Sequence, residues 1–213
     1  MNFGQSPLKT RKDLHLARKL WHALGVFTII GLYIYSSRPQ ALRLAVLGAF
    51  LALTIDFLRH QWPGLNRIMI HLFRPVMRQQ EQTGYAGISY LMVGVLVLVA
   101  LFPQPIVLLS LLFLAIADPL ASYVGLLYGK DKILGSKSLQ GTMAAFLACT
   151  LISVIFFYWN NLMLERLMVV SFLAGLIGAL AELVPIGRLD DNFTFPLVSA
   201  VLLWLLFFVF GGF

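Results

Sequence analysis

Apolar runs about as long as a bilayer core needs, roughly 17–25 residues, recur along this chain between short polar breaks. The first run is about Leu20–Tyr35, behind a polar and basic stretch, 1–19, that carries Lys9, Arg11, Lys12, Arg18 and Lys19. A turn with Arg38 and Pro39 leads to a second run, about Ala41–Leu58. After the longer polar connection Arg59–Gly84 comes a third, about Tyr85–Phe102, stopped by Pro103 and Pro105. The fourth starts near Ile106 and runs through Asp118 toward Tyr128. The last three are about Leu139–Trp159, Leu167–Val184 and Phe193–Phe210. Only helices or closed barrels satisfy their backbone in lipid, and runs this long read as helices. The pattern predicts an all-α, polytopic integral membrane protein with about seven transmembrane helices. One membrane-embedded domain is expected over residues 1–213.

Lys and Arg set the expected orientation. With the N-terminus cytoplasmic, the inside segments are 1–19, 59–84, 129–137 and 185–192, and these hold nearly all the basic residues. The outside turns hold only Arg38, Arg43 and Arg166. No small-x-small cleavage site follows the first run, which is expected to be an uncleaved span. Within the second inside segment, Arg67, His71, Arg74 and Arg78 fall at i, i+4, i+7 and i+11. With Ile68, Ile70, Leu72, Phe73 and Met77 around them, Leu65–Met77 reads as an amphipathic helix in the interface, with Pro75 disturbing it. Such a helix anchors to lipid, or brings Arg74 or Arg78 to an anionic substrate. No internal repeat or low-complexity segment interrupts the chain.

Composition agrees with this class. The 213 residues are 60% hydrophobic and 12% charged, against roughly a quarter charged in soluble domains. The net charge of +7 would suggest nucleic acid in a soluble protein. Here it is explained by topology and by attraction to anionic lipid, so no nucleic-acid partner is expected. The single cysteine, Cys149, sits in an apolar run, which excludes an intramolecular disulfide and gives it a packing role.

Against that background an acid at membrane depth marks a functional site. Asp118 is such an acid, and Pro119 behind it cannot donate a backbone hydrogen bond to Ala115. Asp118, Ser122, Gly125 and Gly129 share one helical face. Gly125-x-x-x-Gly129 is also a plain helix-packing pattern. The loop that follows carries Lys130, Lys132, Gly135, Ser136, Lys137, Ser138, Gly141 and Thr142. A helix beginning near Ser138 would aim free N–H groups at an anion, although the segment is not a P-loop. In the sixth run Gly175, Gly178 and Glu182 share a face, and Asp190, Asp191 and Asn192 follow in the next turn. Asp190 reads as a solvated turn residue and Asp191-Asn192 as a helix cap or a site. Lysines meeting several acids at one membrane face invite a divalent cation with nucleotide phosphates, since Mg²⁺ takes one or two carboxylates plus phosphate oxygens. Further candidates are Arg18, Lys19 and His22 at the first run and Glu81 before the third. Asp56 and Arg59 form a structural pair in this reading.

The run Asp118-x-x-Ala121-Ser122-x-x-Gly125-x-x-x-Gly129-Lys130, continued by Lys137-Ser138-x-x-Gly141-Thr142, resembles the cytidine-nucleotide motif of the CTP-dependent lipid kinases. These are the dolichol kinases, phytol kinases and fungal-type diacylglycerol kinase. Arg18-Lys19-x-x-His22 resembles the family's amino-terminal basic motif, and Glu182 with Asp191-Asn192 and Pro196 its late acidic motif. The chain departs from dolichol kinases in lacking their extra amino-terminal spans, and Gln140 stands where an acid is common. The resemblance implies transfer of the γ-phosphate of CTP to the hydroxyl of a membrane lipid alcohol (polyprenol, phytol or diacylglycerol) with Mg²⁺ or another divalent cation. It implies Asp118, Glu182 and Asp191 as catalytic and metal-binding carboxylates. Ser122, Gly125, Gly129, Lys130, Lys137, Ser138, Gly141 and Thr142 would hold nucleotide and phosphate. The expected location is a cell or endoplasmic-reticulum-type membrane, with the site on the cytoplasmic face.

Two rivals are weighed against it. Phosphatidate cytidylyltransferase has similar D-x-x-A-Y-x-x-G and K-x-x-E-G segments, but Arg188-Leu-Asp-Asp-Asn does not match its late signature. A small transporter or lipid-binding scaffold would show inverted repeats and a midplane site, whereas these charges gather at one face.

Overall fold

Prolines and capping residues set where the helices begin and end in the computed structural model, which describes residues 11–135, 137–184, 186–187 and 189–213, with side chains from Ala17 onward. Helix α1 is Arg11–Ile34 and α2 is Arg38–Gln61. At the start of α2, Gln40 Oε1 accepts from both the backbone N–H and the hydroxyl of Ser37, at 2.9 and 2.8 Å. This closes a capping box around Pro39. Trp62, held extended ahead of Pro63, ends α2, and Pro63 opens α3, Pro63–Phe73. The amphipathic helix expected over Leu65–Met77 is therefore real but stops two residues before Pro75. None of its residues is buried. A short 3₁₀ turn, Gln79–Gln82, leads to α4, Gly87–Leu101.

The fourth apolar run is built from α5, Gln104–Leu112, a π turn, Phe113–Ala117, and α6, Asp118–Tyr128. The loop expected at Gly129–Lys137 contains a small antiparallel hairpin, β1 Lys132–Leu134 with β2 Lys137–Ser138. Then follow α7, Leu139–Trp159, α8, Leu167–Leu183, and α9, Asp191–Phe210.

The α5–π–α6 run is the enclosed centre. Ile106, Val107, Leu109, Leu111, Phe113 and Leu114 are fully buried, with α1, α7 and α9 packed around them. The other helices assemble outward: α2 on α4, α4 on α9, and α8 on both α7 and α9. Small residues seat α8 on α7. A Cβ at Gly178 would overlap Cys149 Sγ, and one at Gly175 would overlap the Thr150 hydroxyl. Cys149 is thus a packing residue, as its surroundings in the sequence suggested.

Large apolar side chains point outward. Phe50 and Leu51 on α2, Leu147 and Leu151 on α7, and Phe208 and Val209 on α9 are all exposed. Among the described residues five helices are long and apolar enough to cross a membrane: Arg38–Gln61, Gln104–Tyr128, Leu139–Trp159, Leu164–Leu183 and Asp191–Phe210. Helix α4 is apolar but shorter. An all-α membrane protein results, with its backbone satisfied within helices and its apolar faces turned toward lipid.

Candidate active site

Asp118 owes its place to the π turn. Its backbone N–H reaches five residues back to the carbonyl of Phe113, so the turn absorbs one extra residue just before Pro119. The sequence predicted a freed carbonyl at this proline; the widened turn is how the helix accommodates it. Such turns collect at functional positions. Asp118 is only partly covered by protein. Five charged or titratable side chains lie in electrostatic reach of it: Lys19, His22, Lys137, Asp191 and Glu182.

Lys137 lies among them. Its Nζ donates to Glu182 Oε1 at 2.8 Å and to Asp191 Oδ2 at 3.4 Å. Thr142, one turn into α7, donates its hydroxyl to the other Glu182 oxygen at 3.4 Å. Glu182 ends α8, Asp191 begins α9, and the hairpin delivers Lys137 between them. Burial pulls the Lys137 ammonium pKa down, but Asp191, Glu182 and Asp118 together push it above its ordinary value. Lys137 is therefore a fixed positive charge at neutral pH. Asp118 of α6, Lys137 of the hairpin, Thr142 of α7, Glu182 of α8 and Asp191 of α9, which the sequence had named one by one, are thus brought together.

Helix α1 closes the same region. Lys19 Nζ and His22 Nε2 are buried and have no hydrogen-bond partner among the described residues. Lys19 also lies over the Tyr123 ring, 5.8 Å from its centroid. Buried polar atoms without partners call for an explanation, and a phosphate or hydroxyl in this space would supply one. Arg18 is half-buried.

The remaining candidates from the Gly/Lys/Ser segment do other work. Ser138 is buried and caps α7, accepting from the Gly141 N–H at 3.3 Å. A Cβ at Gly125 would come within 3.1 Å of Ser138 Oγ, one at Gly129 within 2.6 Å, and one at Gly141 within 2.8 Å of the Ala121 carbonyl. These glycines let α6 and the start of α7 touch, which seats Lys137. The free α7 N-terminus expected at Ser138 is thus partly used internally. Ser122 and Lys130 are exposed. Gln140 accepts from the Lys130 N–H at 3.2 Å and donates to Asp131 at 2.7 Å. It fastens the hairpin where the resembled family has an acid. Ser136 and Arg188 lie outside the described residues, as do residues 1–10 of the basic stretch 1–19.

Two contacts escaped the sequence reading. Asp190, expected to be a solvated turn residue, is the N-cap of α9 in place of Asp191 and is ion-paired with Arg78. Asn192 is buried and donates to the Gly87 carbonyl at 3.0 Å. Glu81 belongs to the same corner. Burial pushes its carboxyl pKa up and Asp190 adds to this, against the opposing pull of the Arg78 and Gly87 N–H groups and the Arg78 charge. The expected Asp56–Arg59 pair is present and fully buried.

As a cation site the cluster offers hard oxygens. Glu182 and Asp191 share one lysine nitrogen, and Asp118 lies within their electrostatic reach. Among the described residues no group of three His, Cys, Asp or Glu side chains is placed to hold a metal ion. A cation here would rest on the two carboxylates Glu182 and Asp191 and take its other ligands from phosphate and water, as Mg²⁺ does.

The chain is 31% identical over 208 residues to the CTP-dependent diacylglycerol kinase 1 of Schizosaccharomyces pombe, covering 92% of this chain and 94% of that protein. The protein of the same name from Eremothecium gossypii is 30% identical, with 86% of this chain and 64% of the relative covered. That from Saccharomyces cerevisiae is 27% identical, over 87% and 71%. No protein-family model matches the chain, and no solved structure matches it.

Proposed function

The chain belongs to the CTP-dependent lipid kinase family, and from that premise we propose that it moves the γ-phosphate of CTP onto the hydroxyl of diacylglycerol at the Asp118–Lys137–Glu182–Asp191 cluster. It is a lipid kinase that uses CTP. Diacylglycerol is taken as the acceptor because the relatives' names specify it. The observation that carries the site is Lys137, held between Glu182 and Asp191 beside Asp118.

In this reading the lipid oxygen attacks the γ-phosphorus. A new O–P bond forms, the bond to the β–γ bridging oxygen breaks, and CDP leaves. The hydroxyl proton passes to a carboxylate, for which Asp191 is best placed, being half-exposed at the start of α9. Phosphoryl transfer asks mainly for positioning and for positive charge around the phosphate oxygens. Lys137 supplies that charge from the hairpin and Lys19 from α1, the His22 ring offers a nitrogen without a protein partner among the described residues, and the Thr142 hydroxyl holds Glu182 in place. Gly125, Gly129 and Gly141 allow the close helix approach that puts Lys137 there. Mg²⁺ or another divalent cation, held by Glu182 and Asp191 with Asp118 nearby, would neutralise phosphate charge.

Two further spans, α1 and α4, complete a seven-helix arrangement with the N-terminus cytoplasmic. The Lys/Arg distribution supports this orientation. It puts the cluster at the cytoplasmic face, where CTP arrives, within a single catalytic domain. The lipid enters sideways between helices because its tails stay in the bilayer.

The test uses purified protein, diacylglycerol vesicles and CTP labelled at either the γ or the α phosphorus. Label from γ in the lipid is expected. Label from α would replace the kinase with a cytidylyltransferase. Asp118→Asn should lower transfer at least about 100-fold, in the range seen when a charge-stabilising group is lost, while the protein stays folded. Retained activity would remove Asp118 from the site.

A further inference from the structure

The segment between α3 and α4 is tied down at many points. The buried Arg59 guanidinium bonds Asp56 at 2.5 Å, Asn66 at 3.2 Å, the Glu81 carbonyl at 2.8 Å and the Gly84 carbonyl. The other Asp56 oxygen accepts from the Ala86 N–H at 2.8 Å and from the Ser89 hydroxyl at 2.5 Å. On this base Glu81 spans a turn, accepting from the Arg78 N–H at 3.2 Å and the Gly87 N–H at 3.3 Å. Two links then run to the far end of the chain. Arg78 pairs with Asp190, 112 residues away. Asn192 donates to the Gly87 carbonyl, 105 residues away. Asp190 in turn accepts from the Asn192 N–H at 3.0 Å. Arg78, Glu81, Gly87, Asn192 and Asp190 therefore form a closed ring of contacts. Asp191 sits between the last two of them, and its carboxylate faces Lys137.

We infer that this ring is a positioning clamp: Arg78, through Asp190, fixes the first turn of α9 and so holds Asp191 in register with Lys137 and Glu182. The inference rests on the reading that Asp191 belongs to the reaction site. Asp191 itself is half-exposed and has Lys137 as its side-chain partner at 3.4 Å, so its backbone must be placed by its neighbours. Displacing a reacting group by about 1 Å costs on the order of 100-fold in rate. Arg78 and Asp190 keep only 33% and 12% of their side-chain surface exposed, so the pair is partly buried, and hydrogen exchange confined to the start of α9 separates a local loosening from global unfolding.

The test is a double-mutant cycle in the full-length protein in vesicles, with Arg78→Gln, Asp190→Asn and both together. Asn caps helices about as well as Asp, so Asp190→Asn removes the ion pair and spares the cap. Each single change should lower kcat roughly tenfold, with the KM values for CTP and diacylglycerol within about twofold. The double variant should be no slower than the worse single, because partners in one contact do not add. Arg78→Lys should recover part of the loss. Hydrogen exchange at the amides of Asn192, Phe193 and Thr194 should speed up in Arg78→Gln. Additive losses, or unchanged exchange there, would overturn the clamp. If the wild-type protein moves no γ-phosphate, the reaction reading falls and exchange alone decides the clamp.

Discussion

Glu81 shows how one side chain's surroundings set its response to pH. Its carboxyl is half-buried, its oxygens take two backbone N–H groups, and Arg78 and Asp190 are the charges that face it. Burial outweighs the favourable contacts, so its pKa is higher in the folded protein than in the unfolded chain. A group raised in this way adds stability below its unfolded pKa, about 4.3 for glutamate, and loses it as pH rises through the folded value. The ionised carboxylate at pH 8 therefore weakens the fold relative to about pH 4, below the unfolded value. Glu81→Gln removes the charge but keeps one acceptor oxygen for the two N–H groups. Its melting temperature relative to wild type should therefore rise from about pH 4 to pH 8. Melting curves followed by tryptophan fluorescence in detergent would measure this, and a relative melting temperature that rises on acidification would reverse the assigned sign. Asp118, Lys137, Glu182 and Asp191 could be named from sequence because charge in an apolar setting is costly and therefore rarely idle. The clamp could not. Arg78–Asp190 and Gly87–Asn192 join residues more than a hundred positions apart, and such pairs leave no local pattern.

Helices in this bundle meet through small residues, and those contacts decide what the glycines mean. Gly125-x-x-x-Gly129 read from the sequence as a helix-packing pattern and Gly141 as part of a Gly/Lys/Ser loop, while the family resemblance implied nucleotide binding for all three. Their neighbours in space are Ser138 and the Ala121 backbone, which makes them seats for one helix on another. The helices themselves were legible because each apolar run has the length of a span, and two of the ends were legible from Pro39 and Pro103, while the break at Pro63 was not read from the sequence. The π turn was not, since a widened turn differs from a normal one only in hydrogen-bond register. At the α7–α8 contact, a Cβ on Gly178 would overlap Cys149 Sγ, lie 2.8 Å from its Cβ, and lie 3.3 Å from Phe113. Gly178→Ala should cost about 1–3 kcal/mol, the range for overpacking a filled interior. Cys149→Ala removes the sulfur, so the double variant should be more stable than the two single losses added together. Additive losses in the melting curves would mean that the strain is relieved elsewhere.

Across the whole molecule the charges separate by end. Lys19, His22, Lys137, Glu182 and Asp191 sit where α1, α7 and α9 begin and α8 ends. The turn between α7 and α8 lies at the other end of those helices. If Lys/Arg placement governs insertion, the hairpin is cytoplasmic and that turn faces the opposite side. A labelling experiment reads this directly, because the native Cys149 is fully buried in the α7–α8 contact and should stay silent. Lys130→Cys marks the exposed hairpin and Glu165→Cys the exposed turn. In sealed vesicles of known orientation, a membrane-impermeant maleimide should label Lys130→Cys only from the cytoplasmic side and Glu165→Cys only from the other. Labelling of both from one side would mean that α7, the long helix between them, does not cross the membrane, and would overturn the orientation. The inverse pattern would put the carboxylate cluster on the face away from cytosolic CTP. A nucleotide-dependent kinase could not work there, so the labelling pattern and the γ-phosphate assay constrain each other.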